Sequence, residues 1–358
     1  MSHIPNNYYK KRIEKLRKLL TEKECDALLI FNAENEDPSL LSWALGSRIF
    51  DSTYLLVKKT ESFLFIPQWR LADAYKSFSK VPVKIIGTGE KTTMIPFILP
   101  YLKNIKSLGF AGNAPYKEML LLKNIHLKNV ENTIRNIYQV KDAIELELMK
   151  KSVRFTKQFM RKFPWKKYIG KKEIEISKMV EDAMWKQRLP ISHLCITAGP
   201  RTKKTTSGFP SEYRLKKNDP ICLDFGVIMN TYYSDITFCY FLGSSKKKYE
   251  KYYRSLKAAI FATADRLQAG TPVRAILRIL KEEYANQDIE KFFVPTDLGH
   301  GIGTGLHEYP EIGYDDRTLE KGNVFTLEPE AKLPDGTLLR YEDIFYIDKT
   351  GKCKVLIP

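Results

Sequence analysis

The sequence lacks the features of a membrane or secreted protein. No apolar run approaches the roughly 18 residues of a membrane-spanning helix. The first residues, MSHIPNNYYKKRIEK, contain no apolar segment of a secretory signal. The five cysteines are scattered and form no Cys-x-x-Cys pair, which indicates reduced structural thiols. We therefore expect a cytoplasmic protein that does not bind membranes.

Acidic residues are also fewer than basic ones. The chain has 59 Lys and Arg against 42 Asp and Glu, a formal net charge of +17. A basic surface can attract nucleic acid or anionic membranes. However, the Lys-rich segment at residues 244–260 also carries apolar residues at helical spacing, as a solvated helix face does, and no nucleic-acid-binding motif accompanies the charge. We favour the solvated surface and keep nucleic-acid binding as the alternative.

The first part of the chain alternates between helical and strand patterns. Apolar residues spaced by three and four predict an amphipathic helix at 9–23, and a continuous apolar run predicts a buried strand at 26–32. This alternation predicts an α/β domain over residues 1–138. Further strands are predicted at 52–59, 62–67, 81–87 and 107–112, and further helices near 69–80, 93–104 and 115–124.

The pattern changes in the second part of the chain, beginning with a mostly helical stretch at 136–163. Paired antiparallel strands then follow, so we expect an α+β domain over residues 139–358. The expected strands are near 193–198, 221–228, 232–242, 323–331 and 338–347, and the expected helices are at 172–187 and, as a pair, within 246–287.

Two aspartates lie in one predicted hairpin, LDFGVIMNTYYSD. Asp224 and Asp235 are equally far from a turn centred between Met229 and Asn230, so we expect the two carboxylates to face each other. Opposed strand residues have Cβ atoms about 4.5–5.5 Å apart, and like charges so placed are destabilising. The hairpin therefore needs something that compensates its negative charge.

A second hairpin repeats this arrangement. Glu328 and Glu342 are equally far from Asp335, within the turn sequence Pro-Asp-Gly. Between the two hairpins, the glycine-rich segment DLGHGIGTGLHEYP carries His300 and His307. Four carboxylates and an imidazole form a mixed oxygen and nitrogen set that suits a pair of divalent cations, and the excess of oxygen favours Mn²⁺.

At these segments the sequence resembles the dinuclear metallopeptidases of the pita-bread fold: methionine aminopeptidase, aminopeptidase P and prolidase. The matching segments are LDFG, SDITF, GHGIG, HEYP, TLEPE and LRYED. The first part, in RIEKLRKLLTEKECDALLIFNAEN and FIPQWRLADA, resembles the N-terminal domain of creatinase and prolidase. Because methionine aminopeptidases usually lack such a domain, the resemblance favours the branch that cleaves X-Pro bonds.

The resemblance implies a metallo-exopeptidase with two divalent metal ions, Mn²⁺ ahead of Zn²⁺, Co²⁺ or Fe²⁺. It also implies proline-containing peptides as substrates and a homodimer. In this family pattern Asp235 and Glu342 bridge both ions. The implied metal ligands are Asp224, Asp235, His300, Glu328 and Glu342.

The resemblance also suggests roles around the metal ions. Glu328 is expected to move the proton of the attacking water, and His307 to contact the substrate or its oxyanion. Arg340 is expected beside the site as a substrate-binding or carboxylate-orienting residue, with a surface strand cation as the alternative. His193 is a further substrate-binding candidate, with a buried structural histidine as the alternative.

Two positions depart from the family pattern. A histidine expected upstream of LDFG falls on Ser207 or, with a one-residue shift, on Thr206, and neither can carry a proton near neutral pH. Glu311 stands where many dipeptide-cleaving members have a basic residue. These departures leave open a preference for longer peptides, a catalytically weakened homologue that binds nucleic acid or protein, or another metal-dependent hydrolase or lyase.

Overall fold

The protein is described here by a computed structural model, which divides into two compact units, Met1–Tyr138 and Gln139–Pro358. No helix in the part of the chain described below is long and apolar enough to cross a membrane. All five cysteines are buried and free, as predicted. The structure describes residues 4–5, 7–32, 39–47, 52–67, 72–73, 75–76, 81–89, 93–113 and 115–358.

The first unit is built on a six-stranded mixed sheet. Its order is β4-β3-β2-β1-β5-β6, with β1, β5 and β6 parallel to one another and β2 antiparallel to β1. The strands β1 to β6 are Ala27–Asn32, Thr53–Lys58, Ser62–Ile66, Lys84–Gly87, Ser107–Ala111 and His126–Asn129.

Alternate residues of β1 enter two separate apolar clusters, because successive side chains of a strand point to opposite faces of the sheet. Leu28 packs with Ile13 and Leu16 of the first helix, while Leu29 packs with Ile95. Both faces of the sheet are therefore covered, as in an α/β domain. Among the described residues of this unit, α-helices cover Tyr8–Glu22, Ser39–Leu45, Ile95–Ile98, Tyr116–Met119 and Glu131–Tyr138, and residues 72–73 and 75–76 are also helical.

The second unit contains three antiparallel sheets. Their orders are β10-β8-β7 with β9 on β8, β11-β15-β16, and β13-β12-β14-β17-β18. The strands β7 to β18 are Ile191–Ala198, Pro220–Met229, Tyr232–Tyr233, Ile236–Phe241, Phe293–Val294, His300–Gly301, Glu308–Glu311, Val324–Leu327, Glu330–Lys332, Leu338–Arg340, Asp343–Ile347 and Cys353–Val355.

Helices pack against these strands through contacts between aromatic side chains. Phe159 packs on Phe225 of β8 with ring centroids 5.3 Å apart, and Phe261 packs on Phe345 of β17 at 5.6 Å. The first of these helices is capped by Asp142, whose side chain accepts hydrogen bonds from two backbone N–H groups in a capping box. The α-helices of this unit are Ala143–Lys162, Glu173–Lys186, Ser245–Arg266 and Ala275–Asn286.

The sequence predicted most of these elements but missed five short strands and the helix Ser39–Leu45. The strands β6, β11, β12, β13 and β18 were not predicted, and each has only two to four residues. The stretch predicted as mostly helix at 136–163 is interrupted, since Val140 forms a bridge to Asn323. Most of the helix predicted at 69–80 lies outside the described residues.

Candidate metal centre

The first hairpin has a register different from the predicted one. Asn230 and Thr231 form its two-residue turn, both with positive φ, and Met229 pairs with Tyr232. Asp224 therefore pairs with Thr237 and not with Asp235. The prediction that the two aspartates stand directly opposite is wrong by two residues, so they lie diagonally on the same face.

A third side chain joins these aspartates. His193 on β7 lies opposite Gly226 of β8, after an irregularity in the ladder. Its Nε2 atom is 2.8 Å from Asp224 Oδ1 and 3.0 Å from Asp235 Oδ1. One ligand atom from each of the three residues lies within 4.8 Å of the others, so they could hold a metal ion together.

The second hairpin has the predicted register. Leu327 pairs with Asp343 and Glu330 pairs with Arg340, so one register runs through both ladders and brings Glu328 opposite Glu342. Both glutamates lie at breaks in the strands. These interruptions take two opposed glutamates out of the regular backbone ladder, and the prediction for this hairpin is confirmed.

His300 connects the two hairpins. Its backbone N–H donates to Thr326 Oγ1 at 3.1 Å, and its ring Nδ1 donates to Gly301 O at 2.9 Å. Since a carbonyl can only accept, Nδ1 carries a proton, so in the neutral imidazole the lone pair is on Nε2. That atom is 3.4 Å from Asp235 Oδ2 and 3.4 Å from Glu328 Oε1.

The electrostatics of the cluster favour a bound cation. Burial raises the pKa of Glu342 well above its usual range, and the charges of Asp235 and Glu328 raise it further. Burial also raises the pKa of Glu328 to about 7, although Arg340 opposes this shift. For His300, burial lowers the pKa, but Asp235 and Glu328 outweigh it and bring the value to about 9. These shifts express an excess of buried negative charge.

One atom supports a metal ion directly. Glu342 Oε2 accepts a hydrogen bond from Thr237 Oγ1 at 2.7 Å, whereas Glu342 Oε1 is buried and has no hydrogen-bond partner among the residues described. Buried carboxylate oxygens are normally hydrogen-bonded or bound to a cation. A ligand atom of Glu342 lies within 4.8 Å of ligand atoms of His300 and Glu328. The donor set therefore fits divalent cations.

The remaining predicted residues surround this cluster. His307 is solvent-exposed, and its ring packs edge-on against His300 with centroids 4.2 Å apart. Arg340 is only 5% exposed, so the alternative of a surface strand cation is wrong. Its guanidinium lies 3.2 Å from Glu328 Oε2 and 3.3 Å from Glu330 Oε1. Contacts of these residues with substrate stay predictions.

With this geometry in view, comparison with known proteins decides the family. Residues 147–349 match metallopeptidase family M24, and residues 12–137 match the creatinase/prolidase N-terminal domain. The chain belongs to metallopeptidase family M24. The predicted resemblance and the prediction of a metallopeptidase are confirmed.

Individual M24 relatives cover nearly the whole chain. An Xaa-Pro dipeptidase of Pyrococcus furiosus is 27% identical over 349 residues, which is 96% of each chain. The prolidase structure from Pyrococcus horikoshii has a TM-score of 0.80 at 25% identity and covers 97% of this chain and 98% of its own. An X-Pro aminopeptidase structure from Thermotoga maritima has a TM-score of 0.85 at 21% identity over 97% of each chain, which shows the fold alone. The predicted fold, an α/β domain followed by a pita-bread catalytic domain, is confirmed.

Sequence reasoning missed two residues that support this M24 centre. Thr237 and Glu330 were not singled out, although one binds Glu342 and the other binds Arg340. Of the two positions considered for the absent histidine, Ser207 is exposed, while the buried Thr206 donates its hydroxyl to Glu330. Glu330 could have been found from its spacing, because it lies two positions after the predicted ligand Glu328.

Proposed function

We propose that this M24 peptidase hydrolyses the bond before proline, at the N-terminus of peptides or in dipeptides. The observation that carries the proposal is the convergence of two hairpins and His300 on one cluster of carboxylates, in a chain whose relatives include Xaa-Pro dipeptidases. We expect two divalent ions, Mn²⁺ foremost, and a cytoplasmic homodimer. The proposed ligands are Asp224, Asp235, His300, Glu328 and Glu342.

Bound ions would supply the positive charge that polarises the scissile carbonyl and acidifies water. The chain's own residues then divide the remaining work. Glu328 holds one oxygen against Arg340 and directs the other toward His300, so it is fixed in position to take a proton from the attacking water. His307 stands beside His300 on the exposed side, where it can donate to the peptide or its oxyanion.

The test compares peptides that differ only at the second residue. Protein stripped by chelator and reloaded with Mn²⁺ is incubated with Gly-Pro, Ala-Pro-Ala and the matched Ala-Ala-Ala. We expect cleavage before proline, no cleavage of Ala-Ala-Ala, and loss of activity with chelator. Elemental analysis is expected to find about two ions per chain. Equal cleavage of Ala-Pro-Ala and Ala-Ala-Ala would refute the preference for proline.

The exposed Ser207 favours one second candidate, a weakened homologue that acts by binding. A general acid–base group typically contributes about 10²–10⁴ in rate, so its absence could reduce turnover strongly. If neither proline peptide is cut by the metal-loaded protein, and nucleic acid co-purifies and is released by salt, this second function replaces the first.

A further inference from the structure

His193 has a second neighbour that fixes its orientation. Its Nδ1 lies 3.0 Å from Ser192 Oγ, and that hydroxyl lies 3.5 Å from the backbone oxygen of Ser234, which can only accept. The hydroxyl can therefore donate to Ser234 and accept from Nδ1–H. In that arrangement Nε2 faces the two aspartates: when protonated it donates to Asp224 Oδ1 at 2.8 Å, and once that proton is lost its lone pair is available to a cation. Ligand histidines commonly donate their other ring N–H in this way.

The backbone makes room for this ring. His193 follows a ladder irregularity on β7 and lies opposite Gly226, where a Cβ atom would collide with the backbone oxygen of Ser234 and with Ser192 Oγ and would come within 2.8 Å of His193 Cε1. A larger residue at Gly226 would therefore disturb the backbone of Ser234 and both side chains, Ser192 and His193, that meet there. Irregularities of this kind change the direction in which a side chain points.

The distances match those between ligands of one ion. Two atoms that bind a cation at right angles, with bonds of about 2.1 Å, lie about 3.0 Å apart, and about 3.4 Å apart at the tetrahedral angle. His193 Nε2 lies at 2.8 and 3.0 Å from its aspartate oxygens, and His300 Nε2 lies at 3.4 Å from both of its carboxylate oxygens. Asp235 presents Oδ1 to the first imidazole and Oδ2 to the second.

We infer that His193 is a sixth protein ligand of the metal centre, binding the ion held by Asp224 and Asp235. Each ion then has one imidazole, His193 on one side and His300 on the other. An additional nitrogen ligand shifts the preference of that position from Mn²⁺ toward Zn²⁺ or Co²⁺. The inference rests on the proposed dinuclear centre but assigns His193 a role different from substrate binding.

The first experiment observes the ring nitrogens directly. Protein labelled with ¹⁵N-histidine is stripped of metal, loaded with Zn²⁺ and studied by long-range ¹H–¹⁵N correlation; the chain has only five histidines, and His193→Ala assigns the signal. We expect the Nε2 signals of both His193 and His300 to shift on loading. If His300 shifts while His193 keeps the signature of an imidazolium, His193 merely pairs with the aspartates and the inference is wrong.

The second experiment measures affinity. Calorimetric titration of stripped protein with Zn²⁺ should give two binding steps, and His193→Ala should weaken one of them by more than the roughly 10- to 100-fold that loss of an outer-shell partner costs, while leaving the other unchanged. His126→Ala, which alters an exposed histidine of the first unit, is the matched control and should leave both steps unchanged. Two unchanged steps in His193→Ala overturn the inference and leave the proposed function standing. Absence of any metal binding in the unaltered protein overturns both.

Discussion

Both hairpins of the centre bring two carboxylates together, but their turns differ. The second hairpin turns at Pro334, Asp335 and Gly336, and its predicted register is correct. The first turns at Asn230 and Thr231, and its predicted register is off by two residues. Proline presets φ and glycine accepts positive φ, so the sequence fixes the second turn, whereas a β-branched residue with positive φ could not be anticipated. The comparison shows that symmetry of acidic residues locates a hairpin but not its register.

The hairpins also differ in how their negative charge is balanced without metal. In the first, the imidazole of His193 lies between Asp224 and Asp235. In the second, Arg340 holds Glu328, while one oxygen of Glu342 is left without a partner among the described residues. The two halves should therefore respond differently when a carboxylate is removed.

The largest difference is expected between Asp235 and Glu328. Asp235 contacts both imidazoles, so Asp235→Asn should lower the content of both ions and reduce kcat by more than about 100-fold. Glu328→Gln should reduce kcat by about 10²–10⁴ but retain the ion on the His193 side. Elemental analysis with steady-state kinetics measures both effects.

Asp182→Asn, at an exposed helical position, is the matched control and should be indistinguishable from the unaltered enzyme. Full metal content and activity in Asp235→Asn would contradict the view that this residue joins the two halves of the centre.

An intermediate effect is expected from the cation of the second hairpin. Arg340 lowers the pKa of Glu328 against the raising effect of burial. In Arg340→Gln the pKa of Glu328 should rise, so the carboxylate stays protonated to higher pH and the acidic limb of the kcat profile moves upward. We also expect kcat to fall by about 10-fold because Glu328 loses its support.

Arg340→Lys keeps a positive charge and should therefore restore part of the pH profile without restoring both contacts. An acidic limb that stays in place in Arg340→Gln would show that Glu328 does not control it. The pH profile separates this positioning role from general damage to the fold, which would lower the rate at every pH.

The same comparison explains what the sequence could predict. The long helices and strands and all five candidate ligands could be predicted from local features of the sequence. These features are apolar periodicity, acidic residues inside strands, and glycines around His300. The place of His193 beside the aspartates depended on pairing between β7 and β8, strands separated by more than 20 residues. Local patterns do not encode such pairing, so its contact with the centre could not be derived from spacing.

Arg340 teaches a related lesson. Its position two residues before Glu342 places it on the same strand face, but the groups that it contacts are Glu328 and Glu330 of the opposite strand. An arginine exposed on the surface and a buried arginine that holds a carboxylate in place would look the same in the sequence at this position. Only the observed register and accessibility distinguish them.

The smallest effects are expected from exchanging the chemistry of the two turns. Thr231 has a φ of 72° and a buried hydroxyl with no hydrogen-bond partner among the described residues. Thr231→Gly should remove both costs and stabilise the protein by about 0.5–1 kcal/mol. Gly336 has a φ of 86°, so Gly336→Ala should destabilise the protein by about 1 kcal/mol.

Thermal unfolding of the metal-free protein measures this exchange, with shifts of about 2–4 °C per kcal/mol for a unit of this size. Thr231→Ala is the matched control: it removes the hydroxyl but keeps a Cβ atom at positive φ, so it should stabilise less than glycine does. Equal gains from alanine and glycine would assign the cost to the hydroxyl alone. A loss of stability in Thr231→Gly would mean that the first turn is held by its threonine, and the contrast between the two turns would then not rest on backbone conformation.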